Sequence, residues 1–325
     1  MIAQMFIESQ YQITLVLKLC HVPRSSYYYR PTSTLLLKGR GLAPSQYTYT
    51  MQGDSVSNEQ VVKDIISVLS SEFVDYGYLK VTHYLRNEKH YIINPKKVYR
   101  LVKELHLLLQ TKVKSKYPKQ WVTALVPQPE SAFIYWEFDI KFIYIHHLGR
   151  YAPMLSIIDV YSRYLIGWTL QWSLKKEDVS YFFDAILYDY LFPKKVCVRC
   201  DNGSQFESLL LRNYLQSKCI VQEFTRPATP EQNAHIESYH SIIQSAVCSR
   251  FEFDSLEHAK EILICWEQFY KLHRIHSGID YKSPVQFLKE KNITIPIKAN
   301  IKKSNFAKLN ETETSSAAEQ MSGIV

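Results

Sequence analysis

The run from Phe133 to Ile145 constrains this chain more than any other segment. Trp136, Phe138, Ile140, Phe142 and Tyr144 alternate with Glu137, Asp139 and Lys141, the period-two pattern of a strand that lays one face on a core. A sheet is therefore predicted, with Asp139 on the face turned away from that core.

The sequence after it continues as mixed α/β. Residues 155–159 and 164–170 read as strands around an Asp159-Val160-Tyr161-Ser162-Arg163 turn, 177–191 as a helix and 196–200 as a short buried strand. That last strand runs into Asp201-Asn202-Gly203, a turn signal. Asp201 thus falls at the carboxyl end of a strand, where open α/β sheets carry their ligands. A helix over 204–217, a strand over 220–224 and a loop over 225–228 follow. Thr229-Pro230-Glu231-Gln232 then reads as a capping box with a first-turn proline opening another helix. On that helix Ile236, Tyr239, Ile243, Ala246 and Val247 mark a buried arc, and Asn233, Glu237, Ser241 and Gln244 a polar stripe beside it.

Singly, Asp139, Asp201 and Glu237 read more readily as solvated or turn residues than as ligands; their shared context of two strand sites and one packed helix favours ligands. Converging without basic partners, they would repel one another unless a divalent cation filled the gap. Hard oxygen ligands favour Mg²⁺ or Mn²⁺ over Zn²⁺. Two such ions stabilise the attacking and leaving oxygens of an in-line phosphoryl transfer, with no protein nucleophile.

The charge pattern points to a polyanionic partner. The formal net charge is +8, yet residues 76–120 hold eleven basic residues against only Glu88 and Glu104. The rest of the chain is close to neutral. Three helices are predicted here, over 59–70, 79–87 and 95–106, the last with Pro95 in its first turn. Lys96, Lys97, Arg100 and Lys103 lie opposite Val98, Leu101, Val102 and Leu105, giving a cationic face on a helix-turn-helix-like module. A solvated surface is the plainer reading of any one such helix; the excess across the module favours phosphate contacts.

The predicted organisation is a leader and linker over 1–57, a helix-turn-helix-like DNA-binding domain over 58–115, a connector over 116–131, a mixed α/β core over 132–290 and a disordered tail over 291–325. No uncharged apolar run approaches the roughly 18 residues of a membrane span, and Glu8 stands where a signal peptide would carry positive charge, so the expected location is inside the cell. The six cysteines are sparse enough to be expected reduced, and Cys197-x-x-Cys200 has no second pair at zinc-binding spacing.

These residues resemble a known family. Trp136-Glu137-Phe138-Asp139, the 159–163 turn with Gly167-Trp168 after it, Asp201-Asn202-Gly203-Ser204-Gln205-Phe206 and Asn233-Ala234-His235-Ile236-Glu237 are similar to the D-D-E core of retroviral integrases and insertion-sequence transposases. Between Asp201 and Glu237 lie 35 residues, the interval that names that core. Arg274 to Phe287 is similar to the end of the core in the subgroup encoded in two overlapping frames. Tyr76-Gly77-Tyr78 through Leu101 resembles its helix-turn-helix, and Cys20 with Arg24 to Tyr28 its leader.

The resemblance implies an RNase H-like mixed sheet flanked by helices, and a transposase that nicks an element's end and uses the freed 3′-hydroxyl to attack DNA. Asp139, Asp201 and Glu237 would hold two Mg²⁺ or Mn²⁺ ions, with Gln205 and Asn233 as DNA contacts or supports of the site. Implied partners are element ends and target DNA, further copies of the chain on DNA, and a first-frame product or fusion, in a bacterial cytoplasm at the nucleoid. Gln244 stands where the family carries a basic residue against the DNA end, Tyr270-Lys271 where it carries Tyr-Asn, and Arg199-Cys200 where His-Ser is common. A DNA-binding regulator of transposon descent that no longer cuts, and a metal-dependent nuclease, are the rival readings.

Overall fold

A computed structural model describes residues 2–28, 44–109, 127–193, 195–226 and 230–298. The expected linker before residue 44, most of the connector and the tail beyond 298 lie outside the described residues. The chain divides into a small unit, Met1–Gln46, and a large one that begins at Tyr47. The small unit holds the short helices α1 (Ile2–Glu8), α2 (Ile13–Leu19) and α3 (Arg24–Tyr28), with Val16 and Leu17 buried.

The large unit opens with a β-hairpin, β1 (Tyr47–Thr50) and β2 (Ser55–Ser57), where the sequence reads as linker. Only Thr48 is buried on β1, so no apolar periodicity announces the strand. Its turn uses Gly53 at φ +95° and is tied by the Thr50 hydroxyl, which accepts from the Gln52 and Asp54 amides. Helices α4 (Asn58–Leu69), α5 (Tyr78–Glu88) and α6 (Pro95–Glu104) follow, with β3 (Tyr91–Ile92) completing a small sheet in the order β2-β1-β3. Ser57 caps α4 and Asn94 caps α6 through their side chains. Val61, Ile65, Val81, Leu85, Val98 and Leu101 close the module's core.

The main sheet runs β6-β5-β4-β7-β8. Strands β4 (Tyr135–Ile145), β5 (Arg150–Asp159) and β6 (Leu165–Leu170) are antiparallel neighbours. Strands β7 (Val196–Cys200) and β8 (Ile220–Phe224) extend the sheet in parallel from β4. Helices α7 (Lys176–Asp189) and α8 (Leu209–Ser217) cover one face, where Trp136, Phe138, Phe183 and Leu211 pack together. On the other face α9 (Ala234–Ile243) and α10 (Leu256–Leu272) bring Ile236, Tyr239 and Trp266 onto Ile143, Met154 and Ile158. This is the expected RNase H-like mixed sheet flanked by helices.

Two local expectations change. The sequence gives β4 one core face, but both faces are covered: Glu137 is fully buried, while Phe142 is exposed near the hairpin end. The helix predicted from residue 204 begins only at Leu209, because Asp201 to Glu207 is a turn that sinks Phe206 into the core and Ser208 caps the helix after it. Helix α11 (Pro284–Glu290) closes the core. Residues up to 298 still pack on it, with Leu191 N–H donating to Pro296 O and Lys298 N–H to Asp189 O.

Candidate active site

Strands β4 and β7 are adjacent and parallel, paired Tyr135 with Cys197, Trp136 with Val198 and Glu137 with Arg199. Extending this register by two residues sets Asp139 against Asp201, just past the end of β7. Neighbouring strands lie about 4.8 Å apart, so the two carboxylates feel each other. The Asp201 carboxyl is pushed above its ordinary value by burial and then by the negative charges of Asp139 and Glu207, against the Gly203 amide that supports its charged form. That amide donates to Asp201 Oδ1 at 2.9 Å. Asp139 Oδ1 accepts from the Ile140 amide at 2.8 Å, and Asp139 Oδ2 lies 3.5 Å from His240 Nδ1.

Glu237 stands exposed in the first turn of α9. It shares a face with His240, three residues on, which touches Asp139. Two aspartates in register, with the charge of Glu207 also felt at Asp201, suit a hard cation. Even so, no group of three His, Cys, Asp or Glu side chains is assembled to hold an ion among the described residues. The structure therefore brings Asp139 and Asp201 together and leaves Glu237 on the adjoining helix.

The other expected site residues separate by role. Asn233 is buried, its Nδ2 3.5 Å from Phe138 O, so it lies in the seam between helix and sheet. Gln205 lies in the Asp201 turn, and its carbonyl accepts from the Ser208 hydroxyl. Gln244 is exposed at the start of a π-helical turn, with Nε2 3.4 Å from Ser249 Oγ. On α6, Lys96 and Lys103 are exposed and Arg100 lies 3.9 Å from Glu104, but Lys97 Nζ donates to Tyr47 O at 2.7 Å and holds the hairpin.

Three residues near the site do not stand out in the sequence as part of it: Glu137, His240 and Arg199. Glu137 meets the start of α9 from the sheet, and His240 faces Asp139. Arg199 pairs with Glu223 at 3.0 Å and donates to Gln232 O at 3.1 Å, fixing the turn that leads into α9. The available signal was spacing: Glu137 shares a strand face with Asp139, and His240 a helix face with Glu237. All six cysteines are free, and burial first of all pushes the Cys197 and Cys200 thiols up to about 12.

Known proteins share sequence with both parts of the large unit. Residues 57–116 match an HTH-like domain family, and residues 129–230 and 218–284 match two families described as integrase core domain. The chain is 24% identical over 249 residues to an uncharacterized 31.7 kDa protein of insertion element IS407 from Burkholderia multivorans, covering 76% of this chain and 87% of that one. It is 31% identical over 134 residues to the transposase for insertion sequence element IS904 from Lactococcus lactis, covering 41% of this chain and 53% of that one. Among solved structures it is similar to the catalytic core domain of BIV integrase, at 14% identity and a TM-score of 0.39 over 49% of this chain and 97% of that one. No helix among the described residues is long and apolar enough to cross a membrane. The chain thus carries a match to an HTH-like domain ahead of matches to integrase core domains, and is similar to proteins of insertion sequences.

Proposed function

We propose that this chain is a DNA transposase that cleaves at the ends of an insertion sequence and joins them to target DNA by metal-dependent phosphoryl transfer. The observation that carries the reading is the register that sets Asp139, midway along β4, against Asp201, just past the carboxyl end of the adjacent parallel strand β7, with Glu237 on the helix packed beside them. Asp139, Asp201 and Glu237 would hold Mg²⁺ or Mn²⁺, which supplies charge stabilisation to the attacking and leaving oxygens.

The chain's own residues orient that chemistry. Gly203 N–H fixes the Asp201 carboxylate, and the Ile140 amide fixes Asp139. The module over 58–115 holds DNA through α6, with the core over 132–290 as the reacting domain. Assembly of several copies on DNA, and a fused first-frame product, belong to the same proposal and are tested by the mass of the protein–DNA complex.

The test uses labelled element ends with Mg²⁺. The expected result is a joined product from the wild-type chain, and neither cleavage nor joining from Asp201→Asn, which still retains DNA. Cleavage without joining makes the chain a nuclease, and DNA binding alone makes it a regulator. Wild-type joining by Asp201→Asn overturns the site.

A further inference from the structure

The first amides of a helix have no partners inside it. Helix α9, which carries Glu237, begins without a cap of its own: Asn233 precedes it at φ −109°, ψ 34° and makes no capping hydrogen bond. Of the capping box read in the sequence at 229–232, residues 230–232 fall instead on a separate 3₁₀ turn, Pro230–Asn233, and residue 229 lies outside the described residues.

The missing cap comes from the sheet. Glu137 Oε2 accepts from the backbone N–H of His235 at 2.8 Å and of Ile236 at 2.9 Å, and Glu137 Oε1 lies 2.8 Å from His235 Nδ1. His235 and Ile236 are the second and third residues of the helix, whose amides a capping side chain normally satisfies. The carboxylate is fully buried. Burying such a charge is costly unless donors surround it. Here the two amides, the imidazole and the positive end of the helix dipole face it, and the Arg163 guanidinium feels its charge.

This contact ties together the two elements that carry the candidate ligands. Glu137 precedes Asp139 by two residues on the same strand face, and Ile236 immediately precedes Glu237. Two further contacts run along the same seam, from Asn233 Nδ2 to Phe138 O and from His240 Nδ1 to Asp139 Oδ2, each 3.5 Å. An ordinary cap would come from the chain just before the helix. A cap borrowed from the strand that holds the first aspartate fixes where the glutamate's turn sits against that strand.

We infer that Glu137 is a positioning residue for metal binding, its buried carboxylate holding the first turn of α9 so that Glu237 is presented to the Asp139–Asp201 pair. The inference rests on the reading under Proposed function. Loss of a group that orients a metal ligand typically weakens metal affinity about 10- to 100-fold.

The experiment titrates Mn²⁺ calorimetrically into the full chain and follows amide hydrogen exchange at 235–237, for wild type, E137A, E137Q and D201N. Expected is faster exchange at 235 and 236 in E137A, with Mn²⁺ bound at least about tenfold more weakly. E137Q, which keeps an oxygen to accept from the amides, recovers most of the affinity. Faster exchange in E137A with wild-type Mn²⁺ binding makes Glu137 a local cap only and overturns the inference, as does unchanged exchange. D201N separates the two levels of failure: if it binds Mn²⁺ as the wild type does, the metal site itself is wrong and the role of Glu137 falls with it. Should E137A fail to fold, E137D keeps the charge but shortens its reach, and wild-type Mn²⁺ affinity in that variant overturns the inference.

Discussion

At the scale of single residues, the candidate site depends on one glycine as much as on its carboxylates. A Cβ built on Gly203 would lie 3.0 Å from Asp201 Oδ1 and 3.3 Å from Phe206 Cδ2. Phe206 is fixed in the core, so the Asp201 side chain is the group that must yield. Misplacing a reacting group by about 1 Å costs on the order of 100-fold in rate. Gly203→Ala is therefore expected to slow end cleavage by about 10- to 100-fold while its melting temperature stays close to that of the wild type. Parallel cleavage assays and thermal melts check this, and a wild-type rate would show that Asp201 needs no such close approach. The turn signal Asp201-Asn202-Gly203 was readable in the sequence, because it is a local property of the backbone. The partner of Glu137 was not, since His235 and Ile236 meet it from about a hundred residues away, through a contact that only the packed helix creates.

At the scale of elements, the strands and helices with clear apolar periodicity were legible and those without it were not. Trp136 and Phe138 on the strand and the arc from Ile236 to Val247 reach the core as read, whereas Phe142 and Tyr144 do not. The β1–β2 hairpin did not register, because its exposed tyrosines and single buried threonine carry no apolar alternation. The basic cluster also changes meaning once folded. Arg86 donates to Ile93 O, Lys89 faces Asp64, Lys97 holds Tyr47 O, and Lys80 is half-buried, its pKa lowered to about 8 by desolvation and then by Arg274. The solvent-facing positive charges on α6 are then Lys96 and Lys103, with Arg100 half-buried between them. Lys96 also borders a cleft with Tyr78, Pro95 and Tyr99. Each phosphate contact contributes about 0.9 to the slope of log affinity against log salt. Replacing Lys96, Arg100 and Lys103 together with Ala is expected to weaken DNA binding and to make that slope shallower by about 2 to 3. An unchanged slope over a salt titration would return α6 to an ordinary solvated face.

At the scale of the whole large unit, the small module is joined to the core through buried contacts, so the two are expected to unfold together. Phe73 packs against Phe251 and Phe269 at tilted angles and edge-to-face against Trp266. Arg250 donates to Val74 O, the Ile275 amide donates to the Tyr76 hydroxyl, and the His83 and Tyr281 rings stack. At the centre Arg274, 1% exposed, pairs with Asp75 at 2.6 Å, and Ser245 Oγ donates to the same carboxylate. Burial alone would raise the Asp75 carboxyl, but the charge and hydrogen bond of Arg274, with Ser245, outweigh it and hold the carboxyl below its ordinary value. Asp75→Ala leaves a buried guanidinium uncompensated, at a cost of about 3–5 kcal/mol. Calorimetry should then give one transition for residues 47–298 in the wild type and a much lower one in the variant. The pH dependence has a definite sign. A carboxylate whose folded pKa is depressed adds stability above its unfolded value, and that stability is lost as pH falls through the lower folded value. The gap between wild type and Asp75→Ala should accordingly be full above about pH 4 and close below it. A gap of constant size from pH 7 to pH 2 would mean that the Asp75 charge contributes nothing, and two wild-type transitions would mean that module and core fold apart.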